Sequence, residues 1–286
     1  MKISFVDFWP SFDPLSNIFT DMMRFIFEDF EVVAPENANI IFSSVFGEAY
    51  KTYLNKLPIL QYIGEPIVPK NEPGVTYLST NYENSATKNF RLPLWILQFD
   101  WFFRTQGYSP ENFQIPIRQL YTRRRYVKRD LFSVSIFNHD RAGNRIAYLS
   151  ALKAKGIPAY AYGKPFGNWF FGERQKMHIL SHFTFANCFE NDTLAGYHTE
   201  KLVHAYFAGC VPLYWGSNTH SIDFNPEAYL FYREDQTMED FVEQIIRLSY
   251  SERDMRRMVQ TPLFRRPPQL IELLDPLERE LSSALG

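Results

Sequence analysis

The residues best placed to do chemistry lie in one short stretch. Phe183-Thr184-Phe185-Ala186-Asn187-Cys188-Phe189 opens as an apolar strand, with Glu190 and Asn191 at its end, and Tyr197-His198-Thr199-Glu200-Lys201 follows. Polar residues at the C-terminal end of such a strand stand where open α/β sheets present ligands. Gly196 marks a loop, and Thr199 has the side chain of an N-cap for a helix running to Ala208 and stopped by Gly209. Val211 to Gly216 then reads as the next strand. A helix start offers free N–H groups and positive potential, and Lys201 adds a full charge, a combination suited to a diphosphate. Glu200 beside it is able to accept hydrogen bonds from ribose or sugar hydroxyls. The same residues also describe a capped surface helix with an ordinary Glu and Lys in its first turn.

Such a site needs a sheet to carry it. Apolar runs at Ile3–Phe8, Ile40–Phe42, Ile59–Tyr62 and Val75–Leu78, with a helix predicted over Ser16–Phe30, have the pattern of a parallel sheet with covered faces. A second unit of this kind starts at Leu131. Phe132–Phe137 alternates as a strand, Asn138–Gly143 is turn material, and Asn144–Lys155 has helical spacing closed by Gly156. Ile157–Ala161 returns as a strand and completes a βαβ unit. Thr237 opens one helix and Ser251 another, which Pro267-Pro268 is expected to stop, and the tail from Gln269 to Leu285 carries a helical pattern.

Composition bounds the reading. The 286 residues suffice for one large α/β domain or two small ones, and a hydrophobic share of 45% excludes a disordered chain. A formal net charge of −2 provides no global field to recruit nucleic acid. Arg123, Arg124, Arg125, Lys128 and Arg129 nevertheless crowd together, as a solvated linker between lobes or as a patch for a phosphorylated glycolipid or an anionic membrane. Cys188 and Cys210 sit in apolar runs and read as reduced core thiols. With no signal-peptide pattern at Met1–Phe5 and no long uncharged apolar window, a cytoplasmic location is expected, compatible with peripheral attachment to the inner face of the membrane.

The wording of the central stretch is more specific than its pattern. F-x-x-C-F-E-N, then Y-x-T-E-K, then A-Y-F-A-G-x-V-P-L-Y-W-G, then Asp223-Phe224-Asn225-Pro226 resembles the signature of the α1,3/4-fucosyltransferase family over Phe183 to Pro226. Tyr62-Ile63-Gly64-Glu65-Pro66, Phe90-Arg91-Leu92-Pro93-Leu94-Trp95 and Asn144-Arg145-Ile146-Ala147 are similar to further family segments, and the bacterial members are nearest in layout.

The resemblance implies an α/β fold of the GT-B type: two Rossmann-like lobes whose parallel sheets face a central cleft. The lobes would be residues 1–128 for the acceptor and 129–265 for GDP-fucose, with a helical tail, 266–286, packing back on the first. It implies an inverting α1,3-transfer of L-fucose from GDP-β-L-fucose to GlcNAc in an N-acetyllactosamine-type glycan, an oligosaccharide or lipopolysaccharide. An α1,4 linkage, another GDP-sugar or a non-catalytic nucleotide-sugar-binding protein are the alternatives. Arg145 and Lys201 would sit on the diphosphate, Glu200 near the ribose, and Tyr197 and Asn191 around phosphate and sugar, with Glu190 and Thr199 in the same donor site. Glu65 would be the general base.

No two aspartates stand two residues apart. No Asp-x-Asp pair is therefore there to bridge Mn²⁺ to a nucleotide-sugar, so cationic side chains are expected to do that work, with Mn²⁺ or Mg²⁺ at most stimulatory. The six histidines show no ligand spacing, and His178 and His182 read as ordinary helix residues. Two departures stand out. His198 replaces the small β-branched residue usual in the family, and Pro158–Asn168 lacks the expected acidic residue, which leaves guanine recognition unassigned.

Overall fold

Runs of Ile, Val, Leu, Phe and Tyr without polar alternation demand cover on both faces, and in the computed structural model these runs are parallel strands. The structure describes residues 1–82, 88–104, 114–168 and 172–285. It divides into two units, Met1–Leu97 with Gln269–Gly286, and Gln98–Pro268.

In the first unit, β1 (Lys2–Val6), β2 (Glu31–Val32), β3 (Ile40–Ser43), β4 (Ile59–Ile63), β5 (Val75–Ser79) and β6 (Asn89–Arg91) pair in the order β2-β1-β3-β4-β5-β6. Every pairing among them is parallel. Helix α1 (Ile18–Ile26) is shorter than its pattern predicts. Asn17 caps its start by accepting from the Thr20 amide, and Phe27 is already extended.

In the second unit, β7 (Phe99–Asp100) and β8 (Ile115–Pro116) form a small parallel pair. The main sheet uses β9 (Leu131–Ile136), β10 (Ala159–Tyr162), β11 (Phe183–Phe189), β12 (Val211–Trp215) and β13 (Leu230–Phe231), in the order β10-β9-β11-β12-β13, all parallel. Helices α2 (Asn144–Ala154), α3 (Gly172–Leu180), α4 (Lys201–Phe207) and α5 (His220–Asp223) connect them, and α6 (Met238–Tyr250) and α7 (Glu252–Gln260) follow β13. One face of this sheet is sealed by Phe185, Phe189 and Leu213 against Leu152 of α2 and Phe241 and Ile245 of α6. Each such fully buried side chain contributes about 1.5–3 kcal/mol.

This strand order reverses direction between β9 and β11, and in the first sheet between β1 and β3. In open α/β sheets that reversal leaves a crevice at the carboxyl ends of the strands, the usual place for a ligand.

Several sequence expectations change. The division falls after Leu97 rather than at 128, because β7, β8 and the basic run build onto the second unit. Helix α7 ends at Gln260, since Pro262 forces Thr261 out of the helical region, and Pro267-Pro268 plays no part in stopping it. The tail helix α8 (Ile271–Leu285) belongs with the first unit, where Glu280 pairs with Lys88 at 2.6 Å. The basic run is only partly a solvated stretch. Arg124 lies 3.9 Å over the Tyr206 ring and donates to the Cys210 carbonyl, and Arg129 donates to the carbonyls of Phe183 and Ala208. Cys188 and Cys210 are free and buried. Among the described residues no helix is long and apolar enough to cross a membrane.

Candidate functional site

The carboxyl ends of β9 and β11 carry nearly all the polar residues singled out from the sequence. Glu190 follows β11 directly and is 2% exposed. One of its oxygens accepts from the Thr199 amide at 2.8 Å, and both accept from the Thr199 hydroxyl, at 2.9 and 2.7 Å. Lys201 Nζ donates to Glu190 Oε2 at 2.7 Å. Room for this carboxylate depends on Gly216, where a Cβ would lie 2.9 Å from Glu190 Cγ.

Thr199 is therefore not the N-cap predicted from the sequence. Helix α4 starts at Lys201, Glu200 occupies the cap position without a capping side-chain bond, and the helix ends at Phe207. The anion that a helix start attracts is here the protein's own Glu190 carboxylate, which takes the Thr199 amide instead.

Arg145 enters from the first turn of α2 and is 3% exposed. Asp140 supports that turn, accepting from the amides of Arg145 and Ile146. The guanidinium spans the gap to β11. Its Nε donates to the Phe189 carbonyl at 3.1 Å and its Nη1 to Asn191 Oδ1 at 2.8 Å. Nη1 also donates to the His139 carbonyl, and Nη2 to that of Phe189. Four of its five donors therefore already hold the end of β11, Asn191 beyond it and the turn after β9. Burial lowers the Arg145 pKa, against the pull of Glu190 and Asp140, and it stays a fixed cation.

Glu200 is turned toward α3. Its Oε1 accepts from Lys176 Nζ at 3.0 Å and lies 3.9 Å from Lys201 Nζ. Burial alone would raise this carboxyl, but Lys176 and Lys201 hold it well below the usual carboxylate range. Lys201 shows the converse: burial would lower its ammonium, and Glu190 and Glu200 raise it instead. Beyond Lys176 the chain of charges continues to Glu173, at 3.6 Å. His204 of α4 is fully buried with Nε2 2.9 Å from Gln98 Oε1. Tyr197 is buried in the same loop, 3% exposed.

The arrangement is a largely buried lattice of alternating charge, Glu190–Lys201–Glu200–Lys176–Glu173, with Arg145 alongside and Glu173 at its partly exposed end. Sequence reasoning missed Lys176 and Asp140. The signals present were Lys176 four residues before buried Leu180, hence on the inner face of α3, and an Asp just ahead of a helix start. His198 occupies the place of the usual small β-branched residue. It is fully buried, with Nδ1 2.6 Å from Asp223 Oδ2 and Nε2 3.3 Å from Thr219 Oγ1, so it ties the loop before α4 to α5.

Glu65 lies in the other unit, in the turn after β4, where its carbonyl accepts from the Ile67 amide at 2.7 Å. It is exposed. Beside it Phe46, Gln61, Ile63, Ile67 and Lys70 line a depression of about 360 Å³ at the carboxyl end of the first sheet.

Comparisons with known proteins identify the fold and the family. Residues 126–260 match the C-terminal region of glycosyltransferase family 10 (fucosyltransferase), and residues 3–98 match the α-(1,3)-fucosyltransferase FucT N-terminal domain. The α-(1,3)-fucosyltransferase FucT of Helicobacter pylori is 36% identical over 72 residues, 25% of this chain. That match spans 15% of the length of the Helicobacter protein. A crystal structure of an α1,3-fucosyltransferase superposes with a TM-score of 0.76 at 17% identity, covering 99% of this chain and 89% of that one. Another, of an α1,3-fucosyltransferase with GDP-fucose, gives 0.72 at 16% identity, covering 100% of this chain and 90% of that one. The fold is of the GT-B type.

Proposed function

The chain belongs to glycosyltransferase family 10, the fucosyltransferases, and on that premise we propose that it moves L-fucose from GDP-β-L-fucose to a hydroxyl of a glycan. The favoured acceptor is GlcNAc of an N-acetyllactosamine-type chain, with an α1,3 product and inversion at the anomeric carbon. The observation that carries this reading is Lys201 held on Glu190 at the crevice between β9 and β11. A nucleoside diphosphate entering there takes the ammonium from Glu190. The carboxylate then keeps only the Thr199 amide and hydroxyl.

The reaction on this reading breaks the bond from the anomeric carbon to the diphosphate and forms one to the acceptor oxygen. Glu65 takes the proton of the acceptor hydroxyl, and GDP leaves with the electron pair. Lys201 and the fixed charge of Arg145 stabilise the growing negative charge. Glu200, fixed by Lys176 through one oxygen, receives donor hydroxyls. With cations in these places the proposal includes no obligatory metal.

Incubation with GDP-fucose and N-acetyllactosamine in excess EDTA, followed by NMR of the product, tests this. An α1,3-fucoside is expected. An α1,4 product would change the linkage, activity restored only by Mn²⁺ would remove the metal-free account, and GDP binding without transfer to any acceptor would leave a binding protein.

A further inference from the structure

The charge of the second unit is unevenly spread. Arg123, Arg125 and Lys128 of the segment before β9 are exposed, as are Arg253, Arg256 and Arg257 of α7. The two stretches are neighbours in space: Arg123 donates to Gln260 at 3.3 Å, and the Arg256 guanidinium lies 5.5 Å from the Tyr126 ring centroid. Arg265 and Arg266, a few residues beyond α7, are also exposed. The acidic residues of this face include Glu252 and Asp254, paired along the helix with Arg256 at 2.8 Å and Arg257 at 3.3 Å, with Asp130 at its margin and exposed Glu227 on the turn that packs against α7. In a chain of net charge −2 this concentration leaves the remainder of the molecule acidic, so the charge distribution is polar.

Apolar groups are set among these cations. Tyr121 and Val127 are each 66% exposed. Leu120, Tyr121, Phe207, Leu263 and Phe264 line a groove of about 410 Å³, with Arg123 also at its wall. The inward arginines matter here. Arg124 and Arg129 pin the segment to Tyr206 and to the carbonyls that end α4 and precede β12, so their neighbours are displayed on an ordered scaffold.

We propose that this face docks on an anionic lipid bilayer. Arginines and a lysine on one face meet lipid phosphates, each contributing when near the charged surface and each screened by salt. Exposed Tyr and Val between them suit the headgroup boundary, where amphipathic and apolar side chains are favoured. A purely polyanionic partner would account for the arginines but not for the apolar side chains set between them.

The full chain is sedimented with phosphatidylcholine vesicles containing roughly a third phosphatidylglycerol, and with pure phosphatidylcholine vesicles, at about 0.1 M and about 0.5 M salt. Binding is expected only to the anionic vesicles and only at the lower salt. Two variants, Arg123→Ser/Arg125→Ser and Arg253→Gln/Arg257→Gln, should each lower partitioning, by about fivefold for each charge removed. Circular dichroism verifies folding, and having both variants protects the test if one misfolds. Equal binding to neutral vesicles, unchanged partitioning of both folded variants, or retention on a soluble phosphorylated polysaccharide with no vesicle binding would overturn the proposal.

Discussion

The two regions that carry candidate chemistry are built in opposite ways. Around Glu190 and Glu200 the carboxylates are buried or partly buried and held by a named cation or hydroxyl, so charge is fixed before any ligand arrives. Glu65 stands exposed in a turn, and no hydrogen bond to its carboxylate is seen among the described residues. A site that must stabilise a departing diphosphate gains from preorganised charge, because nothing has to reorganise as the bond breaks. A base that must meet a variable acceptor hydroxyl gains from position alone and depends on its substrate for surroundings. The contrast predicts that mutations in the first region damage folding and function together, whereas mutations in the second damage function only.

The largest effect on stability is expected from Lys201→Ala. It leaves Glu190, whose side chain is 1% exposed, without its ammonium, and breaking such a buried pair costs about 3–5 kcal/mol. Donor affinity should fall and transfer should slow on the order of 10²–10³-fold. Adding Glu190→Gln should recover much of the stability in urea titration while leaving GDP binding impaired. If Lys201→Ala unfolds at the wild-type urea midpoint, Thr199 alone satisfies Glu190 and the contrast between the regions weakens.

Glu65→Gln sharpens the other side. Transfer should fall by about 10²–10⁴-fold, as for loss of a general base, with the urea midpoint and GDP affinity essentially unchanged. An exposed substitution away from packing normally shifts stability by within about 0.5 kcal/mol. Retained turnover would remove Glu65 from the mechanism. A clear loss of stability would show that its turn is as constrained as the other site.

How much of this was legible in the sequence follows the same division. Strands and helices could be placed because their signal is local: apolar runs give β3, β4, β5 and β11, and Thr237 and Ser251 mark helix starts as N-caps. The partners of the charged residues could not. Arg145 binds a carbonyl 44 residues away and Lys176 a carboxylate 24 residues away, separations that carry no local pattern. Thr199 was misread for that reason, because Glu190 reaches across the loop to claim it. The basic run looked uniform in sequence, yet Arg124 and Arg129 turn inward to an aromatic face and to carbonyls that only the folded sheet brings near. Glu65 could be named only through its family-like surroundings, since an exposed carboxylate after Gly64 has no distinguishing local chemistry.

The smallest predicted effect concerns pH and bears on how rigidly the buried lattice is set. His204 is completely buried, and that desolvation pushes its pKa from 6.5 down to about 4. Four charged groups face it. Glu173, 3.1 Å from its Nδ1, and Glu200 favour the protonated ring, while Lys176 and Lys201 oppose it. The loss of water and the two ammoniums outweigh the carboxylates, so the folded protein holds His204 neutral. Its folded pKa lies below the unfolded one, so the stability it contributes is complete above about pH 6.5 and declines as pH falls toward 4. The unfolded chain takes up a proton there that the native state refuses, which amounts to about 3 kcal/mol across the window. Urea midpoints for wild type should fall through this range, and His204→Gln should flatten the curve. A wild-type profile flat from pH 6.5 to 4 would mean that Glu173 holds the ring protonated in the native state. The charge lattice would then extend one member further than the geometry around Lys176 implies.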